Sequence, residues 1–208
     1  MKKLGIFGSS GLAREVADLA YQLGYSEIFF IDLKKGIETV SDLPIIAESD
    51  LSIEDKDCCY TIAIGEGTIR EKIVKSFSSL HYVNLIHSAT TLSTQLEAAL
   101  KQTVGNIIFA GARFTVNIQI GNFNLFNLNS TIAHDCVIES YVTVAPGANV
   151  SGNVVLEQGS YIGTGATILQ GKSLDEKLII GKYSIVGAGA VVTKSVGAKQ
   201  VVKGVPAK

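Results

Sequence analysis

The chain has 208 residues, 47% of them hydrophobic, and a formal net charge of −1. That hydrophobic content excludes a disordered chain, and the near-zero charge excludes a global basic field of the kind that binds nucleic acid or a membrane surface. Three cysteines, Cys58, Cys59 and Cys136, make no disulfide framework, so a reducing cytoplasm is expected. No run approaches the roughly 18 apolar residues of a membrane span, and the opening lysines are followed by glycine and serine rather than by the apolar run of a signal peptide.

The first part of the chain alternates strands and helices. Lys3–Phe7 is a short apolar strand. Residues 11–24 carry Val16, Leu19, Ala20 and Leu23 at helical spacing and end on glycine. Glu27–Asp32 and residues 59–65 read as further strands, and residues 68–77 as a second helix. This β-α-β order predicts a parallel sheet with right-handed crossovers. It is short for a full dinucleotide-binding domain, so residues 1–82 are expected to form a truncated Rossmann-like α/β domain.

The turn "FGSSGLAREV" follows the first strand and opens the first helix. Backbone N–H groups at such a helix start, around Ser10 and Gly11, suit a diphosphate. The full G-x-G-x-x-G fingerprint is absent, and Leu12 stands where a G-x-S-x-G elbow would end, so a plain tight turn fits equally well. Asp32 ends the second strand where dinucleotide folds place an acid on a ribose hydroxyl; a solvated strand-end aspartate is the alternative. Gly65 closes the third strand. Convergence of the three strand ends favours a nucleotide-shaped ligand.

From Ile108 onward the period changes. Every sixth residue through Val192 is apolar, and four residues after each comes one that is mostly small or valine, with Asn124 and Lys172 as the clear departures. Neither a helix nor a strand keeps a sixfold register over such a length, so a hexapeptide-repeat parallel β-helix is predicted for residues 83–208. The large residue fills a flat face and the small one a corner. Lys172 and the charges after it predict a coil that bulges outward. Residues 86–104 fit either an irregular first coil or a helical connection.

In "NSTIAHDCVI" the register buries Ile132 and pushes His134 and Asp135 to an outward corner. Histidine is the side chain whose ordinary pKa lies nearest neutrality, as a general base requires, and a nearby acid can orient its ring. An exposed loop histidine is the bland alternative. No metal is expected, because a site needs several ligands and His134 is the only histidine between residues 88 and 208. Between residues 171 and 208, seven lysines and two acids leave an excess of +5, suited to the phosphates of a nucleotide cofactor or to a solubilising end cap.

The G-x-S-G turn, the strand ending in Asp32, "AIGEGTIREKI", the hexads with "NSTIAHDCVI" and the closing "GVPAK" together resemble the bacterial nucleotide-sugar N-acetyltransferases of the hexapeptide-repeat family. The family includes UDP-4-amino-sugar N-acetyltransferases and proteins called sialic acid O-acetyltransferases. The resemblance implies a left-handed β-helix, a cytoplasmic homotrimer with sites between subunits, and acetyl-CoA as co-substrate. It implies His134 as general base on a sugar 4-amino group, tuned by Asp135, with Asn127 nearby. Ser10, Gly11, Asp32 and Gly65 would hold the nucleotide sugar. Thr143, Gly152, Thr164, Gly187 and Ala188 would line the path of acetyl-CoA. Three positions depart from the family pattern: Leu12 replaces a histidine, Leu33 follows Asp32 where a second aspartate is common, and Thr143 stands where a second histidine is common. An O-acetyltransferase, a metal-dependent hydratase on the same β-helix and a non-catalytic nucleotide-binding scaffold are the rival readings.

Overall fold

The computed structural model describes residues 2–33, 39–51 and 57–208. The N-terminal part contains strands β1 (Lys3–Phe7), β2 (Glu27–Asp32), β3 (Thr39–Val40), β4 (Leu43–Ala47) and β5 (Cys58–Ile62). Helix α1 (Gly11–Gln22) follows β1, and α2 (Gly67–Ser76) follows β5. The sheet order is β3-β4-β2-β1-β5. β1 pairs in parallel with β2 and β5, and β2 with β4, as the alternating order requires. The hairpin of β3 and β4, antiparallel, was not anticipated. Central strands buried on both faces read as continuous apolar runs, and Leu4, Ile6, Phe30 and Ile31 are fully buried.

The rest of the chain winds into a prism of parallel strands. Face A stacks Leu85–Ile86, Ile107–Ile108, Leu125–Phe126, Thr143–Val144, Tyr161–Ile162, Ile185–Val186 and Val201–Val202. Face B runs from Arg113–Phe114 to Val191–Val192, and face C from Gln119–Ile120 to Leu178–Ile180. Partners one coil apart differ by 18 residues, as in Thr131 beside Asn149. The second residue of each pair points inward: Phe126, Ile132, Val144, Ile162 and Ile168 form one continuous core. Each such side chain contributes about 1.5–3 kcal/mol by leaving water.

Each corner turns at the residue just before the small one. Asn117, Phe123, Asn129, Asp135 and Tyr141 have positive φ at six-residue intervals, and Gly105, Gly111, Gly147, Asn153, Gly159 and Gly165 extend the series. One residue per corner turns left-handed, which costs a side chain least when it is Gly, Asn or Asp. Asn124, a departure from the small-residue rule, is buried and bridges coils: its Oδ1 accepts from Val142 N (2.7 Å), and its own N–H donates to Asn106 Oδ1 (2.9 Å).

Residues 86–104 prove to be both things the sequence allowed. Leu85–Ile86 is a face A strand, and α3 (Thr94–Leu100) closes the end of the prism, burying Leu96 and Leu100 in its core. Ser93 caps α3 by accepting from Leu96 N (3.3 Å). At the other end, Leu174 falls in the sixfold register but is 59% exposed, because the coil from Ile168 to Val192 holds six extra residues that bulge outward. The inward positions pass instead to Leu178 and Ile180.

The N-terminal part is packed on face A. Ile107, Phe109 and Leu125 share a core with α1 and β1. Gly67, the first residue of α2, sits so close to the prism that an added Cβ would lie 2.2 Å from the Tyr141 carbonyl oxygen. Arg70 of α2 is 2% exposed. Its guanidinium donates to the carbonyl oxygens of Ile64, Gly65, Phe123, Tyr141 and Val142 and to Thr143 Oγ1, at 2.7–3.0 Å. Burial pulls it down to about 9, so it keeps its charge at neutral pH.

Candidate active site

His134 and Asp135 occupy the edge between faces B and C, in the corner that joins Thr131–Ile132 to Val137–Ile138. Strand neighbours would point apart. Here Asp135 has φ 60°, the left-handed turn, and its carboxylate swings back beside its neighbour. Asp135 Oδ2 lies 2.6 Å from His134 Nδ1. Asn117, one coil earlier, donates its amide to the other carboxylate oxygen (2.5 Å). The Asn117 amide, and then His134, hold the Asp135 carboxyl below the usual carboxylate range. The Lys177 ammonium, from the bulged coil, donates to the Asp135 backbone carbonyl oxygen.

The imidazole lies against the next coil at Gly152. A Cβ on Gly152 would sit 2.4 Å from His134 Cε1 and 2.5 Å from Nε2. Gly152 is therefore the seat of the ring, a role the sequence did not suggest. The His134 side chain is 54% exposed, and with Nδ1 on Asp135, Nε2 is the nitrogen left to exchange a proton with a ligand.

Asn127, Thr164, Gly187 and Ala188 stand on a different edge, between faces A and B. Asn127 Oδ1 accepts from Leu128 N (2.7 Å). Thr164, Gly165, Ala188 and Gly189 are exposed and small, so stacked coils present a shallow strip of backbone there. Thr143 does not belong to this strip. It is 3% exposed, and its hydroxyl donates to the Gly65 carbonyl oxygen (2.7 Å) and accepts from Arg70 (2.9 Å). Within this chain it joins the two parts, covered by the α2 packing.

The nucleotide-binding candidates fall in three clefts. Gly11 lines one of about 510 Å3, with Arg14, His87 and Leu128. Asp32 lines another of about 360 Å3 at the strand ends, with Gly8, Ile64 and Lys72. There the Ser9 hydroxyl donates to Asp32, and burial and the Asp32 charge push the Glu48 carboxyl up. Gly65 lines a third of about 560 Å3 with Tyr161 and Tyr183. Ser10 is exposed at the start of α1, its side chain making no capping bond. The edge carrying His134 lies across the prism from face A, so one chain alone does not bring these residues to the imidazole. Sequence reasoning missed Asn117, Lys177 and Arg70. Only Asn117 left a signal, one coil before Asp135.

Among the described residues no group of three or more His, Cys, Asp or Glu side chains is arranged to hold a metal, and no helix is long and apolar enough to cross a membrane.

Comparison with known proteins agrees with this architecture. Residues 3–77 match the PglD N-terminal domain. The chain is 35% identical over 188 residues to GDP-perosamine N-acetyltransferase of Escherichia coli O157:H7, covering 87% of this chain and 84% of that protein. Its structure resembles WeeI from Acinetobacter baumannii AYE, with a TM-score of 0.88, 37% identity and 99% and 98% of the two chains covered. It also resembles the acetyltransferase domain of PglB from Neisseria gonorrhoeae FA1090 in complex with acetyl coenzyme A, with a TM-score of 0.84, 29% identity and 100% and 98% covered. A truncated Rossmann-like domain on a left-handed β-helix, with similarity running almost the full length of these enzymes, identifies the chain as a member of the hexapeptide-repeat nucleotide-sugar N-acetyltransferase family.

Proposed function

We propose that the protein transfers the acetyl group of acetyl-CoA to the 4-amino group of a nucleotide-linked amino-deoxysugar, with His134 as general base. The observation that carries this reading is the exposed imidazole seated on Gly152, with Nδ1 fixed by Asp135 and Nε2 open. The sugar amine attacks the thioester carbonyl carbon. The C–N bond forms, His134 Nε2 accepts the amine proton, and the C–S bond breaks to release coenzyme A, whose thiolate regains a proton. General-base assistance of this kind is worth about 10²–10⁴-fold.

Residues 1–82 hold the nucleotide sugar through Ser10, Gly11, Asp32 and Gly65. Residues 83–208 carry the acyl transfer, with Asn127 and the strip at Thr164, Gly187 and Ala188, all on the edge between faces A and B, set along the thioester beside a neighbouring subunit's His134. The separation of face A from the His134 edge supports a homotrimer, in which the base of one subunit serves the nucleotide sugar or the thioester held by its neighbour. The three free cysteines suit a reducing cytoplasm.

Thiol release from acetyl-CoA, measured with a panel of UDP-, GDP- and dTDP-linked 4-amino sugars and their hydroxyl counterparts, tests the reading. Turnover with an amino sugar supports it. Turnover with hydroxy sugars alone makes the protein an O-acetyltransferase, and none with either makes it a nucleotide-binding scaffold.

A further inference from the structure

Lys177 reaches the corner of His134 from a segment that the coil does not need. Face B partners elsewhere differ by 18 residues, but Ile168 and Val192 are 24 apart. Removing residues 172–177 would leave Leu178 and Ile180 in the positions the sixfold register demands, and both are buried. The insertion is internally tied. Lys172 pairs with Glu176 (3.2 Å), and Ser173 Oγ accepts from Glu176 N (3.1 Å). It ends by turning Lys177 inward, half-buried, so that its ammonium donates to the Asp135 carbonyl oxygen.

We propose that Lys177 is a positioning residue for acyl transfer: it pins the Asp135 carbonyl, holds the left-handed turn in which the Asp135 carboxylate meets His134, and sets a positive charge beside that pair. The proposal rests on His134 being the base. The other groups around the pair are few. Asn117 is neutral. The Cys136 thiol donates to the Ser151 carbonyl oxygen and is pushed up by burial, so it too is neutral. Lys172, Glu176 and Lys194 line the cleft of about 390 Å3 that contains Lys177. Among the hydrogen bonds of the described residues, Lys177 makes the one link from the insertion to the His134 corner.

The test compares wild type with Lys177→Met, Lys177→Arg, Lys177→Glu, a deletion of residues 172–177 and His134→Ala. Each is assayed across the neutral pH range with acetyl-CoA and an accepted nucleotide amino sugar. Lys177→Met is expected to lower kcat about 10-fold, with KM for both substrates held within about two-fold. Lys177→Arg restores most of the loss. Losing the cation favours the protonated, inactive form of the base, so the acid limb of the kcat–pH profile moves to higher pH. Lys177→Glu moves it further in the same direction. A residue that only stabilised the fold would not rank these variants by charge. The deletion keeps the coil register and is expected to behave like Lys177→Met. The proposal is overturned if Lys177→Met keeps wild-type kcat and an unmoved acid limb while His134→Ala has lost activity. If His134→Ala itself keeps wild-type activity, the reading of His134 and this proposal fall together.

Discussion

Asp135 Oδ2 lies 2.6 Å from His134 Nδ1 although the two residues are adjacent in the chain, because Asp135 takes a left-handed backbone with φ 60°. The pair is thus made by the corner of the prism and needs no neighbouring subunit. Asp135→Ala should lower kcat, by less than the about 10²–10⁴-fold expected for loss of the base, because the imidazole stays but loses its orientation. Asp135→Asn keeps a residue tolerant of the turn and should retain more activity than Asp135→Ala. Steady-state kinetics of the two variants checks the order.

Gly152 is the floor under the imidazole. Its φ is not among the positive ones, so alanine is permitted by the backbone, but the new methyl would meet the His134 ring at 2.4 Å. Gly152→Ala should therefore fold normally and lose at least about 10-fold in kcat by displacing the base. A crystal structure of the variant should show the ring moved off the coil.

Asn117 is the largest contributor to the low titration of Asp135, ahead of His134. A carboxyl held below its ordinary range contributes stability above that range and loses it as pH falls through the lowered value. Asn117→Ala should bring the Asp135 midpoint back up toward the ordinary carboxylate value near 3.9, as read by carboxyl-carbon NMR titration. The wild-type Asp135 carboxyl should stay ionised throughout the neutral range.

Arg70 ties α2 to the prism through five carbonyl oxygens and the Thr143 hydroxyl. Arg70→Met removes the donor to the Ile64, Phe123 and Tyr141 carbonyl oxygens, while Gly65 O keeps the Thr143 hydroxyl and Val142 O keeps Leu125 N. A loss of about 3–5 kcal/mol in unfolding free energy is expected. Thr143→Val removes two hydrogen bonds, to Gly65 and from Arg70, and should cost about 1–3 kcal/mol. Denaturant titration of the two variants measures both.

Much of this architecture is legible in the residues themselves. The sixfold apolar register is a one-dimensional consequence of the prism, so Ile132, Ile138 and Val144 declare their inward positions and His134 its outward one. β1 and β2 follow from short apolar runs buried on both sides. The hairpin of β3 and β4 escapes, because β4 is half-buried and carries Pro44, which weakens a strand pattern. Leu174 misleads because six inserted residues preserve the count while leaving the core. Arg70 looks like an ordinary cation on a helix face; only the packing of α2 on face A makes it buried. Lys177 touches Asp135 across 42 positions, a distance no local pattern encodes. Partners one coil apart, such as Asn117 with Asp135 or the stacked rings of Phe123 and Tyr141, become readable once the 18-residue coil is known.

Acetyl transfer turns on the His134 imidazole acting as base. The most direct measurement is thiol release from acetyl-CoA by wild type and His134→Ala, with the nucleotide 4-amino sugar that the wild type accepts, on samples shown to have the same fold and assembly. A loss of about 10²–10⁴-fold in kcat is expected. Activity within a few-fold of wild type would contradict it.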